Sequence, residues 1–115
     1  MSRKRRNRVT AKRQARALVF AALGDETRLS LVAKLCGGEP RSISHLTEGF
    51  QLTRQAITKH LQVLERAEIV HSIRTGRENR FELDPGPIRE IKEYLDLVSE
   101  QWDRTLSRLK SFVEG

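Results

Sequence analysis

Cysteine occurs once in this chain, at Cys36, so no internal disulfide can form and stability has to come from packing. Tryptophan and tyrosine occur once each, and aromatics make up 5% of 115 residues. Any core is therefore aliphatic and thin. No apolar run approaches the ~20 residues that a membrane span needs. The basic N-terminal stretch is not followed by the ~7–15 apolar residues of a secretory signal. Together these absences lead to the expectation of a cytoplasmic protein with no membrane attachment. The sequence also holds no glycine-rich phosphate loop, no paired catalytic carboxylates and no Cys/His pairing, so no enzyme, no catalytic residue and no cofactor are expected. His45, His60, His71 and Cys36 recur at neither helical nor Cys-x-x-Cys spacing, and no metal site is expected from them.

Positive charge, by contrast, is plentiful. The formal net charge is +7, and its distribution says more than its size. Arg3, Lys4, Arg5, Arg6, Arg8, Lys12, Arg13 and Arg16 fall in the first sixteen residues, with no acid among them. The remaining residues are nearly balanced, 14 bases against 15 acids. Within them, residues 41–80 carry seven bases against four acids, whereas residues 81–115 carry an excess of three acids. A polarised body with a basic middle fits a nucleic-acid partner. The length allows one domain, and the reading is a flexible basic arm over 1–10 followed by a single domain over 11–115.

The spacing predicts a first helix from about Ala11 to Leu23, which Gly24 ends. Asp25 is placed to cap a second helix running to about Cys36, with Leu29, Val32, Ala33 and Leu35 inward. After the Gly37-Gly38-Glu39-Pro40 loop, Ser42 caps a short third helix with Ile43 and Leu46 inward; Phe50 and Leu52 then plug the turn. Thr53 opens a fourth helix, and at 100° per residue its side chains divide into two arcs. Ala56, Ile57, His60, Leu61, Val63 and Leu64 occupy one arc; Arg54, Gln55, Thr58, Lys59, Gln62, Glu65 and Arg66 occupy the other. Two β-branched segments, Ile69–Arg74 and Arg80–Leu83, follow as a hairpin around Thr75–Asn79. The fold class is mainly α with a small β-hairpin: a helix-turn-helix with a wing.

That fourth helix offers the groups a major groove can read. Arg54 and Gln55 suit bidentate contact with guanine and adenine edges. Thr53 and Thr58 are expected on phosphates, with Lys59 on the same face. Arg74, Arg77, Asn79 and Arg80 cluster around Gly76 at the wing tip, more cation than solubility requires, and are expected on the DNA backbone or in the minor groove. His60 lies in the apolar arc as a packed histidine, and Arg28 is expected to anchor helices by ion pairs.

At this point the chain resembles the ArsR-type winged-helix transcriptional repressors. The stretches that carry the resemblance are Phe20 to Leu29, Leu52 to Leu64, the exit Glu65-Arg66-Ala67-Glu68-Ile69-Val70, and the wing from Arg74 to Leu83. They cover roughly residues 18–84. The resemblance implies a sequence-specific, DNA-binding regulator of the repressor type, acting on double-stranded DNA. The chain departs from the pattern in four places. Glu26 stands where proline is common, and Gln51 where the turn often has glycine, with Gly49 two residues earlier. Arg41-Ser42-Ile43-Ser44 replaces the family's Cys-x-Cys metal pair, and the last helix lacks the family's His/Asp metal ligands. The resemblance therefore carries the family fold to this chain but not metal sensing, and it specifies no small-molecule effector.

The last helix adds a second signal. Ile88, Ile91, Leu95, Val98, Trp102, Thr105, Leu109 and Phe112 follow a 3-4-3-4 step, and seven of the eight are apolar. A helix of ~25 residues is ~38 Å long, more than a small body can cover. The uncovered seam predicts a homodimer through long N- and C-terminal helices, with Leu18, Ala22, Ile91, Leu95, Val98, Trp102 and Leu109 at the interface. Two-fold symmetry then matches a palindromic operator. A winged helix serving as a protein- or RNA-interaction module, without operator specificity, is the other reading. It differs in requiring apolar residues on the outward face of the fourth helix.

Overall fold

Short-range side-chain hydrogen bonds set where the helices begin. The computed structural model describes residues 3–115. In it the Asp25 carboxylate accepts from the Arg28 amide at 3.0 Å, the Ser42 hydroxyl from the His45 amide at 3.2 Å and the Thr53 hydroxyl from the Ala56 amide at 3.1 Å. Each satisfies a backbone N–H that a helix start otherwise leaves without a partner. Asp84 does the same for Gly86 at 2.9 Å, with Pro85 in the first turn. The elements follow as α1 (Arg3–Leu23), α2 (Glu26–Leu35), β1 (Arg41–Ser42), α3 (Ile43–Thr47), α4 (Arg54–Arg66), β2 (Val70–Thr75), β3 (Glu78–Leu83) and α5 (Pro85–Glu114).

The core lies where these elements converge. Leu31 and Leu35 from α2, Leu46 from α3, and Ile57, Leu61 and Leu64 from α4 are fully buried together with Ile69 and Val70. Val19 and Ala22 from α1, Phe81 from β3 and Ile91 from α5 close it. The sheet is antiparallel with strand order β1-β3-β2. Phe81 sits between Arg41 and Ser72, and the hairpin register runs from Val70↔Leu83 to Thr75↔Glu78. The two residues left between the hairpin strands are Gly76 and Arg77. Gly76 has φ +63°, while Arg77 needs no positive φ, the pattern of a type II′ turn whose twist matches the strands it joins.

Four expectations are corrected here. The segment expected as a flexible arm to Thr10 is helical from Arg3, because it contains no glycine or proline and is rich in arginine and lysine, which favour helix. In α2 the inward residues are Leu31 and Leu35, whereas Leu29 is 52% exposed and Ala33 is also exposed. Apolar side chains surround this short helix, so its pattern alone does not pick the buried stripe. Leu52 is exposed as well, and Phe50 alone packs beneath the turn. The hairpin expected as two strands has a third, β1, whose two residues are too few to signal themselves.

The outline is long: 66 × 41 × 22 Å, with a Cα radius of gyration of 18.8 Å against ~13 Å for a globular chain of this length. Both ends cause it. The 30 residues of α5 span ~45 Å, yet Ile91 is its one buried residue among those described. Among the described residues no helix is long and apolar enough to cross a membrane.

Candidate nucleic-acid interface

Helix α4 is clamped from behind and bare in front. Ile57, Leu61 and Leu64 hold it to the core, while Arg54, Gln55, Lys59, Gln62 and Arg66 are exposed. The turn before it reverses at Gly49, φ +85°, so the left-handed residue is Gly49 and Gln51 needs no glycine in its place. Two of the expected contacts have hydroxyls already in use. Thr53 accepts from the Ala56 amide and keeps its proton to give to a phosphate. Thr58 donates its proton to the Arg54 carbonyl at 2.7 Å, so it can only accept. In that arrangement its free lone pairs suit a base-edge amino group.

Arg54 is not loose. Its Nη2 donates to the hydroxyl of Ser44 on α3, ten residues earlier, a contact the sequence did not signal. The Arg41–Ser44 segment, which stands where the resembled family has its metal pair, is therefore occupied with other work. It supplies β1, the α3 cap and this partner of Arg54. Among the described residues no group of three or more His, Cys, Asp or Glu is placed to hold a metal ion.

On the wing, Arg74 and Asn79 stand directly opposite each other, and Arg80 pairs with Ile73. The strand alternation puts Arg74 and Asn79 on one face and Arg80 on the other, with Arg77 at the tip. The four residues grouped by the sequence thus divide between two faces. Arg74 Nε donates to the Gly76 carbonyl at 3.3 Å and Arg80 Nε to Glu78 at 3.2 Å.

The junction of α4 with the wing has a special backbone. Glu68 adopts φ +61°. Its amide donates to the Glu65 carbonyl at 2.9 Å, and the Ile69 amide donates to Leu64 at 3.0 Å. This is a Schellman end with glutamate where glycine is usual, and Leu64 and Ile69 provide the apolar contact across it. The Asp84 amide then donates to the Ile69 carbonyl at 2.8 Å, tying the start of α5 to the same junction.

Behind α4, Arg28 joins three helices. Its Nε donates to the Ala22 carbonyl at 2.6 Å and its Nη2 to Ala21 at 3.4 Å, serving carbonyls at the end of α1. Its Nη1 lies 3.1 Å from His60 Nδ1. A guanidinium has only donors, so Nδ1 accepts and the imidazole proton sits on Nε2. The anchoring expected of Arg28 runs through hydrogen bonds to carbonyls and a histidine rather than through ion pairs. Asp25 is held below the ordinary carboxylate value, chiefly by the hydrogen bond from the Arg28 amide, with desolvation opposing and the nearby Arg28 charge assisting. Asp84 is lowered by the Gly86 amide and by His71, whose Nε2 lies 2.9 Å away.

The residues expected at a dimer seam fall into two groups. Ala22 and Ile91 are already buried within this chain. Leu18, Leu95, Trp102 and Leu109 are 44–60% exposed, and Val98 is half-buried between them. Beside them a cleft of ≈ 530 Å³ runs between α1 and α5, lined by Lys12, Val19, Glu90, Tyr94 and Leu97 among others. Arg16 lies over the Tyr94 ring at 4.2 Å, and Phe20 meets that ring edge-on.

Known proteins share this arrangement. The helix-turn-helix domain family matches residues 23–73. The HTH-type transcriptional regulator YuzN of Bacillus subtilis is 34% identical over 79 residues, which span 64% of this chain and 86% of the relative. An ArsR-like transcriptional regulator from Rhodococcus sp. RHA1 superposes with a TM-score of 0.78 at 34% identity, covering 91% of this chain and 95% of that one. The homodimeric winged helix-turn-helix DNA-binding domain Mb0332 of Mycobacterium bovis shares the fold, with a TM-score of 0.65 at 19% identity over 82% of this chain and 86% of that one.

Proposed function

We propose that this chain, which belongs to the ArsR-type winged helix-turn-helix transcriptional regulators, represses transcription in the cytoplasm by holding a palindromic operator as a homodimer. The observation that carries the reading is the division of α4, apolar and buried behind, charged or polar and bare in front, with no apolar side chain among its exposed residues. Such a face suits base edges in a major groove. In this reading Arg54 and Gln55 contact bases, Thr58 accepts from an exposed amino group, and Thr53 and Lys59 meet phosphates. Arg74, Arg77, Asn79 and Arg80 brace the wing on the backbone or in the minor groove, and the basic first turns of α1 add sequence-independent attraction.

Dimerisation is supported by the stripe of Leu95, Trp102 and Leu109, for which this chain alone provides no cover. A two-fold axis through α1 and α5 presents two α4 helices to half-sites about one turn of duplex apart, ~34 Å. Selection from randomised duplex DNA is the test. The expected product is an inverted repeat, with Arg54→Ala and Gln55→Ala each relaxing one base pair per half-site at a cost of ~1–3 kcal/mol. A protein that enriches no sequence overturns the proposal.

A further inference from the structure

We propose that Ser44 is a specificity-positioning residue: from α3 it holds the Arg54 guanidinium in the orientation that reads a base. The inference rests on the operator-binding function argued above and names how one of its readers is aimed. Arg54 is the first residue of α4, fully outside the core, on a long side chain that left alone would sample many rotamers. Its Nη2 is bonded to the Ser44 hydroxyl. That contact uses one of five N–H donors, and the four that remain are enough for a bidentate contact with a guanine.

Ser44 can serve as a fixed post because α3 is fixed from both ends. Ser42 caps its start, and β1 immediately before it is paired with β3. At its other end Lys34 on α2 donates to the Leu46 carbonyl at 3.3 Å and to the Glu48 carbonyl, with its ammonium 4.5 Å from the Phe50 ring. Leu46 is fully buried beneath. The hydroxyl is thus mounted on a helix that the body immobilises. The guanidinium inherits that placement before DNA arrives, and binding then orders it less.

The test is a double-mutant cycle on the full chain, with affinities measured by fluorescence anisotropy on the selected operator and on duplexes altered at one base pair. Ser44→Ala should weaken the operator about fivefold to tenfold while leaving non-specific duplex unchanged. The loss should concentrate at the base pair that Arg54→Ala relaxes. In the Arg54→Ala background, Ser44→Ala should have no further effect; with Arg54 present, Ser44→Thr, which keeps the hydroxyl, should retain discrimination. Unchanged thermal unfolding of Ser44→Ala separates this role from a folding defect. Equal weakening on all duplexes would make Ser44 a phosphate contact and overturn the inference, as would additive losses in the cycle. If the wild-type protein selects an operator and Arg54→Ala relaxes a base pair but Ser44→Ala does not, the positioning role alone fails. If the wild-type protein selects nothing, the operator reading fails with it.

Discussion

Trp102 is the sharpest probe of assembly, because it is the only tryptophan of the sequence and is 60% exposed on α5. Truncating it to alanine opens no cavity in this chain, so the fold of the protomer should survive. A tryptophan presents ~250 Å² at most, so ~150 Å² remains to be covered by a partner. At ~25 cal/mol per Å² that is roughly 3–4 kcal/mol per side chain, and a symmetric dimer contains two. Allowing for incomplete burial, Trp102→Ala should cost the dimer about 3–6 kcal/mol, a rise in Kd of between a hundredfold and ten-thousandfold. Sedimentation equilibrium measures this directly. Tryptophan emission of the wild-type protein gives an independent reading, since it should shift to the red on dilution through the dimer Kd. Ile91→Ala is the contrasting control. That side chain is 7% exposed within the protomer, and its loss should cost about 2–5 kcal/mol in unfolding experiments. Wild-type emission that does not change with concentration, together with Trp102→Ala sedimenting as wild type does, would refute the seam.

Three further outcomes follow from the geometry. Glu68→Gly should raise unfolding stability by up to about 1 kcal/mol, because glycine adopts the left-handed backbone without the side-chain clash; chemical denaturation checks it, and a destabilised variant would mean that the glutamate side chain has a role of its own. Arg28→Lys should cost about 2–3 kcal/mol in the same measurement, since one ammonium cannot serve the Ala21 and Ala22 carbonyls and His60 together. Asp25 has a lowered pKa in the folded state, so its contribution is complete above the ordinary carboxylate value of about 4 and fades as pH falls through the folded value. Asp25→Asn keeps a cap without the titration, and its melting temperature should therefore fall less than that of the wild type between pH 5 and pH 2.

What the sequence disclosed was local. The caps at Asp25, Ser42 and Thr53 each act on an amide three residues ahead, so residue type and spacing were sufficient to place them. The two arcs of α4 were readable because thirteen residues give more than three full turns. In α2 ten residues carry Leu29, Leu31, Val32 and Leu35, and only the position of the neighbouring helices decides that Leu31 rather than Leu29 goes inside. The β1 strand and the Ser44–Arg54 bond join residues about forty and ten apart, and no local pattern announces either. The helical start of α1 carries no apolar periodicity to announce it, only charge density, although its residue types favour helix.

The left-handed turn at Glu68 has a mechanical consequence. Two hydrogen bonds and a buried leucine–isoleucine contact close the end of α4, and a third bond carries that junction into α5. The reading helix, the wing and the root of the long helix therefore lack an internal hinge and turn together as a single lever. In the proposed homodimer, a tilt of α5 by a few degrees near its root would change the distance between two such levers and be magnified at the far tips of the two wings.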